Sequence, residues 1–217
     1  AGGRRTAVLV KATNRLISWS NDGGETWTEL KTGLPQGNMG KIGMAISPVN
    51  PDIVYATIET DNRKGGFFRS TDQGASWTKM SDEVGGGTGP HYYQELYTSP
   101  HEFDRLYLMN VHILTSKDGG ENFEQLTNER NFYYYFDKKH SDHHAMAFKM
   151  SDPDYLMVGT DAGIYESFDA AKNWHYFLNL PLTQFYKVAV NNQEPFYHIF
   201  GGTQDNGSAG GPSATDE

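Results

Sequence analysis

The sequence contains no cysteine among its 217 residues. This absence excludes disulfide bridges, thiolate metal sites and cysteine nucleophiles, and it is compatible with both the cytosol and a bacterial periplasm. Basic residues are also scarce, since 18 lysines and arginines stand against 27 acidic residues and leave a net charge of −9. A surface of this sign repels phosphate backbones, so we expect no nucleic-acid partner.

Long apolar runs are absent as well. No stretch approaches 18 consecutive apolar residues, so we predict no membrane span. Residues 1–5 lack the apolar core of a signal peptide and an initiator methionine, and we interpret them as the cut end of a longer chain. The 24 glycines and 9 prolines instead separate short apolar runs, which is typical of an all-β protein.

Four segments repeat one pattern, Ser-x-Asp-x-Gly-x-Thr/Ser-Trp. They are Ser20–Trp27, Ser70–Trp77, Ser116–Phe123 and Ser167–Trp174, and their aspartates follow one another at intervals of 50, 46 and 51 residues. A second element recurs in phase with them, at Pro51–Tyr55, Asp104–Tyr107, Pro153–Met157 and Pro195–Ile199. Two signals in phase predict repeated copies of one supersecondary unit.

Each repeat contains four short runs rich in β-branched and aromatic residues. In the second repeat these predicted strands are Ile42–Ser47, Ile53–Ile58, Gly66–Ser70 and Ser76–Met80. Four antiparallel strands in about 40–50 residues make a β-propeller blade, so the fold class we predict is an all-β propeller of four-stranded antiparallel blades. No helical periodicity in the sequence is long enough to compete with this prediction.

The strand count sets the predicted extent of the fold. The whole chain provides 17 predicted strands, or about four blades, in a single partial domain over residues 1–207. Residues 208–217 are small, polar and glycine-rich, so we expect a flexible tail. A closed four-blade ring would leave one strand over, and we therefore favour an incomplete arc of a larger propeller, with seven or more blades.

The repeated pattern resembles the Asp-box, also called the bacterial neuraminidase repeat, which marks the turn between the third and fourth strands of a propeller blade. The longer phrases NPDIVYATIE, DHHA and GGTQDNGS resemble the sortilin-type, or vacuolar sorting receptor, branch found in bacterial multi-blade propellers. The resemblance implies a non-catalytic, extracellular or periplasmic scaffold without a cofactor. Its implied partners are a protein, peptide or glycan ligand at the axial face and the remainder of the parent propeller.

The chemistry of the motif favours a structural role over a catalytic or calcium-binding one. Aspartate in a tight turn accepts hydrogen bonds from downstream amides, glycine supplies a positive φ, and the aromatic residue packs between sheets. The predicted structural residues are Ser20, Asp22, Gly24, Trp27, Ser70, Asp72, Gly74, Trp77, Ser116, Asp118, Gly120, Phe123, Ser167, Asp169 and Trp174. Ala171 replaces the last glycine, so we expect the Asp169 turn to be the most strained or the most altered.

Strand alternation separates these turns from the candidate functional face. If the strands of a blade run up and down in turn, the motif turns share one end with the connections between first and second strands. We expect ligand binding at the opposite end, where Lys41, Tyr93, His143 and Phe185 occupy equivalent positions by sequence counting. The candidate ligand-binding residues are His91, Tyr92, Tyr93, Gln94, Glu95, Asp142, His143, His144, Tyr186, Gln204, Asp205 and Asn206.

Two of these segments have competing interpretations. The cluster Asp142-His143-His144 contains metal-binding groups, but adjacent histidines on a strand point to opposite faces, and we predict no metal site. Asn206-Gly207 is a hairpin-turn signal in its own right.

The alternative function is glycoside hydrolysis of the sialidase or xyloglucanase kind. That chemistry needs two carboxyl groups, for which Glu95 with Asp142 and Asp161 with Asp205 are candidates. Sialidases are also similar to one another in an arginine trio, and the candidates here are Arg15, Arg63 and Arg130. No local motif singles out either pair, so we predict no catalytic residue.

Overall fold

The protein is built from β-strands. A computed structural model describes residues 9–13, 16–61, 64–84, 94–127, 142–180, 183–203 and 207–214, without the side chains of residues 9–13 and 16. These residues form 18 strands in five antiparallel sheets, and they include no helix that is long and apolar enough to cross a membrane. The all-β prediction is confirmed.

The strands follow one another along the chain. The first sheet contains β1 (Leu9–Thr13), β2 (Leu16–Ser20) and β3 (Thr28–Glu29). The second contains β4 (Met39–Ile46), β5 (Val54–Thr60), β6 (Gly66–Ser70) and β7 (Thr78–Ser81). The third contains β8 (Leu96–Thr98), β9 (Leu106–Leu108), β10 (Leu114–Ser116) and β11 (Glu124–Gln125). The fourth contains β12 (His143–Lys149), β13 (Asp152–Thr160), β14 (Gly163–Ser167) and β15 (His175–Tyr176). The fifth contains β16 (Phe185–Val190), β17 (His198–Thr203) and β18 (Ser208–Pro212).

The second, third and fourth sheets are up-and-down blades. In each, neighbouring strands in the sheet are also neighbours in the sequence. The first strands of the second and third sheets, β4 and β8, lie side by side. The Thr98 hydroxyl of β8 donates a hydrogen bond to the Ile46 carbonyl of β4 at 2.9 Å. Successive four-stranded meanders whose first strands adjoin make the architecture of a β-propeller.

The hydrophobic core lies between successive sheets. Side chains of β5 alternate across it: Val54, Ala56 and Ile58 pack toward the first sheet, while Tyr55 packs toward the third. A third cluster joins the third and fourth sheets through residues that include Met109 and Val158. Each large apolar side chain buried in this way contributes about 1.5–3 kcal/mol, so both faces of the middle blades stabilise the stack.

Four hydrogen-bonded turns connect the last two strands of the first four sheets. We name residues 20–27, 70–77, 116–123 and 167–174 the serine–aspartate turns. In each, the serine hydroxyl donates to the aspartate at 2.6–2.9 Å and accepts an amide from four residues downstream at 2.8–2.9 Å. The aspartate accepts another amide at 2.8–3.0 Å. In the first turn the hydroxyls of Ser20 and Thr26 lower the pKa of Asp22 well below its ordinary value.

These turns share one end of each blade with the connections between first and second strands. The Gln73 amide donates to the Asp52 carbonyl at 2.9 Å, and Gly119 donates to Asp104 at 3.0 Å. In the fourth sheet the Ala170 amide donates to the carbonyl of Asp154, near the start of β13, at 2.9 Å. The predicted separation of the two ends is therefore confirmed for these three sheets.

The fourth turn keeps its hydrogen bonds at a conformational cost. All four turns place two consecutive residues at positive φ, and in the fourth these are Ala170 (55°) and Ala171 (70°). The first and third turns use glycines at both positions, and the second uses Gln73 and Gly74. The fourth turn is thus the one turn with two β-carbons in the left-handed region, and the prediction of strain is confirmed.

The expectation of a flexible tail from residue 208 is wrong for Ser208–Pro212. These residues form β18, which pairs with β17, so the described part of the chain contains 18 strands, one more than the 17 predicted. The Gly207 carbonyl accepts hydrogen bonds from the amide and hydroxyl of Thr203 at 3.0 and 2.9 Å and closes the hairpin. At Gly210 a β-carbon would lie 2.7 Å from the Phe200 ring, so this glycine makes room for an aromatic side chain.

Two compact units divide the chain, Ala1–Tyr176 and Phe177–Glu217. The first four sheets belong to the first unit and the fifth sheet belongs to the second. The boundaries of a single partial domain over residues 1–207 remain a prediction.

Substitutions at equivalent turn positions test the cost of positive φ. Ala170 is exposed, and Ala170→Gly should raise the free energy of unfolding by about 0.5–1 kcal/mol. Gly23→Ala should lower it by about 1 kcal/mol, because its new β-carbon meets nothing within 4 Å and only the backbone is strained. Urea denaturation measures both values. Shifts of equal sign in the two variants would contradict this explanation.

Candidate functional site

We call the end of the first unit's sheets that lies opposite the serine–aspartate turns the polar end. Of the predicted ligand-binding residues, Gln94, Glu95, Asp142, His143 and His144 lie there. Tyr186 belongs to β16 in the second unit, where it is 67% exposed. The predicted residues outside the described ranges are His91, Tyr92, Tyr93, Gln204, Asp205 and Asn206, together with the arginine candidates Arg15, Arg63 and Arg130.

Lys41 joins two glutamates from neighbouring sheets. Its ammonium group lies 3.1 Å from Glu95 Oε1, and its backbone amide donates to Glu59 Oε2 at 3.4 Å. Gly40 makes this approach possible, because a β-carbon there would lie 2.2 Å from Glu59 Oε2. Both members of the ion pair are about one third exposed (30% and 35%), so solvent or a ligand can reach them. Sequence analysis missed Glu59, whose run of β-strand residues gives no local signal.

Gln94 is a buried anchor beside this ion pair. It is 0% exposed, its side-chain amide donates to the Val84 carbonyl at 2.9 Å, and its φ is 101°. A β-carbon on Gly43 would lie 1.8 Å from the Gln94 carbonyl oxygen. Gly43 therefore allows β4 to approach the start of the third sheet closely. The backbone of Gln94, held at a positive φ, determines the position of the next residue, Glu95, beside Lys41.

His143 ties the fourth sheet to the third. The imidazole is fully buried, and Nδ1 lies 2.9 Å from the Val111 carbonyl and 3.2 Å from the Asn110 carbonyl. Because carbonyl oxygens only accept hydrogen bonds, Nδ1 must carry the proton. Burial lowers the pKa of His143 to about 4, so the ring is neutral at neutral pH.

His144 points away from His143 toward solvent. It is the extra residue of a bulge in β12, and its Nε2 lies 2.9 Å from Asp161 Oδ1. The two side chains are 41% and 37% exposed. The adjacent histidines therefore lie in different environments, as strand alternation predicted. No group of three or more histidine and acidic side chains suited to a metal ion occurs in the described part of the chain.

The bulge also corrects the predicted equivalence of positions. Ile42 pairs with Ile58, and His143 pairs with Thr160. Val54 pairs with the turn serine Ser70, and Leu156 pairs with the turn serine Ser167. Ile58 and Thr160 each lie four residues after these positions, so His143 corresponds to Ile42 rather than to Lys41. Counting along the sequence was wrong by one, because the bulge adds a residue that shifts every earlier position of β12.

A cavity of about 410 Å³ lies between the first strands of the second, third and fourth sheets, at the end that carries the serine–aspartate turns. Its lining residues are Met44, Ala45, Pro48, Leu96, Tyr97, Thr98, Pro100, Met146, Ala147, Phe148 and Met150. Sequence analysis expected function only at the opposite end and missed this space. The available signal was an apolar residue at the same register position in each first strand, namely Met44, Leu96 and Met146.

Comparison with known proteins supports the fold. No protein-family model and no curated protein matches the chain. Among solved structures, the chain is similar to the GH74 enzyme of Niastella koreensis, with a TM-score of 0.57 and 14% identity over 93% of this chain and 33% of that one. It is also similar to the GH74 xyloglucanase of Xanthomonas campestris, with a TM-score of 0.54 and 18% identity over 93% and 34%.

A third similar structure is the extracellular domain of BT4673 from B. thetaiotaomicron, with a TM-score of 0.50 and 13% identity over 95% of this chain and 26% of that one. The chain thus spans about a third of the length of the solved chains it matches, or less. At these identities the likeness shows the β-propeller fold alone.

The buried imidazole predicts a pH-dependent stability. As the pH falls from 6.5 toward 4, unfolded chains bind a proton that His143 in the folded protein does not. The contribution of His143 to the free energy of unfolding is therefore fully present above pH 6.5. It decreases as the pH falls below 6.5, by up to about 1.4 kcal/mol per pH unit. His143→Asn keeps a donor for the carbonyls but cannot titrate, so its unfolding free energy should change less between pH 6.5 and 4.5.

Urea denaturation at the two pH values measures the difference. The control is Thr98→Val, which removes a hydrogen bond between two uncharged groups and should keep the wild-type dependence. A full wild-type slope in the His143 variant would contradict the assignment.

Proposed function

We propose that the chain is part of a non-catalytic binding propeller of the Asp-box, sortilin-like type, and that it holds a protein, peptide or glycan ligand at the polar end. The observation that carries this proposal is a pair of partly exposed polar contacts there, the ion pair of Lys41 with Glu95 and the hydrogen-bonded pair of His144 with Asp161. Both are positioned by strands of packed blades, and rigid scaffolds of this kind present charged groups to a ligand with little loss of conformational entropy.

The same contacts favour binding over hydrolysis. Glycoside hydrolysis needs one carboxyl group that donates a proton and a second carboxylate nearby. Glu95 and Asp161 instead each accept a hydrogen bond from a basic neighbour, and Asp61 accepts one from Asn38 at 2.8 Å. These carboxylates are suited to recognise hydrogen-bond donors and cations on a ligand.

We further propose that the serine–aspartate turns are Asp-boxes with a structural role, and that the chain forms an arc of a larger ring. Two observations support the arc. The first and fifth sheets each contain three described strands where the middle blades contain four, and the chain spans about a third of the GH74 structures. The remainder of such a ring would be an obligatory partner. An extracellular or periplasmic location fits this type of propeller and the lack of cysteine.

Glycoside hydrolysis is the second candidate, and one observation favours it. Glu59 and Glu95, from neighbouring sheets, contact the backbone amide and the ammonium group of one residue, Lys41, at the polar end. The solved structures with the same fold include a xyloglucanase.

A paired binding and turnover experiment distinguishes the two candidates. Peptide and glycan arrays identify a ligand for the wild type, and we expect Glu95→Gln and Asp161→Asn each to weaken its binding about tenfold, the loss of one charged hydrogen bond. Glu124→Gln removes a surface carboxylate of the third sheet and is the matched control, for which we expect unchanged affinity. Unchanged melting temperatures would show that the variants remain folded.

A hydrolysis assay gives the result that could overturn the proposal. Xyloglucan and sialoside hydrolysis should be absent in the wild type. Hydrolysis that disappears in Glu59→Gln, Glu95→Gln or Asp142→Asn would overturn the binding function and establish the enzyme.

A further inference from the structure

A second cavity, of about 660 Å³, shares no lining residue with the cavity between the first strands. Residues 33–37, in the connection from β3 to β4, form one wall, and Lys64, Phe68 and Lys79 of the second sheet and its connections form the other. This volume lies within the range of about 300–1,000 Å³ that is usual for small-molecule sites. None of the features described above uses it.

The walls of this cavity are held in place. Leu34 is 6% exposed and belongs to the core between the first and second sheets. The Trp77 amide donates to the Thr32 carbonyl at 3.0 Å, and a β-carbon on Gly33 would lie 1.7 Å from the Trp77 carbonyl oxygen. The connection is therefore packed closely against the second sheet, so a ligand would meet a preformed surface.

The chemistry of the lining is apolar with two cations. Phe68 and Lys79 pair directly across β6 and β7, so their side chains project on the same side of the sheet. Among the lining residues, all of which the structure describes, only Lys64 and Lys79 are charged. This positive site stands out in a chain whose net charge is −9.

Asp82 forms an ion pair with one of these cations, Lys79. Lys79 Nζ lies 2.7 Å from Asp82 Oδ1, but the Asp82 side chain is 95% exposed. An exposed ion pair contributes about 0–1 kcal/mol, so an incoming anion can replace the Asp82 carboxylate at little cost. Pro35 is partly exposed in the cavity and would contact the apolar part of the same ligand, beside the buried side chains of Leu34 and Phe68.

We propose that this cavity is a binding site for a small organic anion, a carboxylate attached to an apolar body about the size of an aromatic ring system. The carboxylate contacts Lys79 in place of Asp82, and the apolar body packs against Pro35 beside the buried Phe68. The site shares no residue with the contacts that carry the function proposed for the polar end.

Isothermal titration with 2-naphthoate tests the site on the full chain. We expect saturable one-to-one binding that weakens at least about fivefold in Lys79→Gln and strengthens about threefold in Asp82→Asn, because the second change releases Lys79. The uncharged 2-naphthamide should bind more weakly than 2-naphthoate. Glu124→Gln is the matched control, since it frees Lys117, which lines neither of the two cavities described, from a 2.9 Å ion pair, and it should not alter the affinity.

The opposite signs of the two variants keep the test decisive. If Lys79→Gln fails to fold, the exposed Asp82→Asn change still reports on the site. Equal affinity of 2-naphthoate and 2-naphthamide, or an equal gain from Asp82→Asn and Glu124→Gln, would overturn the proposal.

Discussion

The hydrogen bonds of the serine–aspartate turns are the constraint on which the rest of the first unit depends. In each turn one hydroxyl and one carboxylate bind amides of the same short segment, so the last two strands of a sheet meet in a fixed geometry. The turn then binds the neighbouring connection through one further backbone bond. This end also carries a charged contact between blades, since Arg69 Nη2 lies 3.1 Å from Asp104 Oδ1, and the Lys41–Glu95 ion pair joins the same two sheets at the opposite end.

Packing between blades converts these local turns into a scaffold. The strand β5 buries side chains on both of its faces, and the resulting clusters connect each sheet to the next. At the polar end the same neighbours are joined by Lys41 with Glu95 and by His143 with the carbonyls of residues 110 and 111. The Lys41–Glu95 ion pair is consequently positioned by two sheets rather than by one loop, which is the property that ligand recognition needs.

The parts of the structure that sequence analysis predicted correctly rest on contacts within about four residues or on strand alternation. The turn of Asp169 is an example, because its partners lie in the same motif. The missed features depend on contacts between distant residues. Glu59 of β5 contacts Lys41 of the adjacent strand β4, and Gly210 accommodates the ring of Phe200. The bulge at His144 shifts His143 by one position relative to the residues of β4. Local composition does not encode any of these contacts.

Comparative unfolding measurements test the division between the two ends most directly. Alanine at Asp72, Asp118 and Asp169 should lower the free energy of unfolding by about 1–3 kcal/mol each, since each turn loses the acceptor of its serine hydroxyl and of a downstream amide, and a hydrogen bond contributes about 0.5–1.5 kcal/mol. Alanine at the exposed carboxylates Asp61 and Asp161 of the polar end should lower it by no more than about 1 kcal/mol. The reverse order, with stable turn variants and strongly destabilised polar-end variants, would contradict the account.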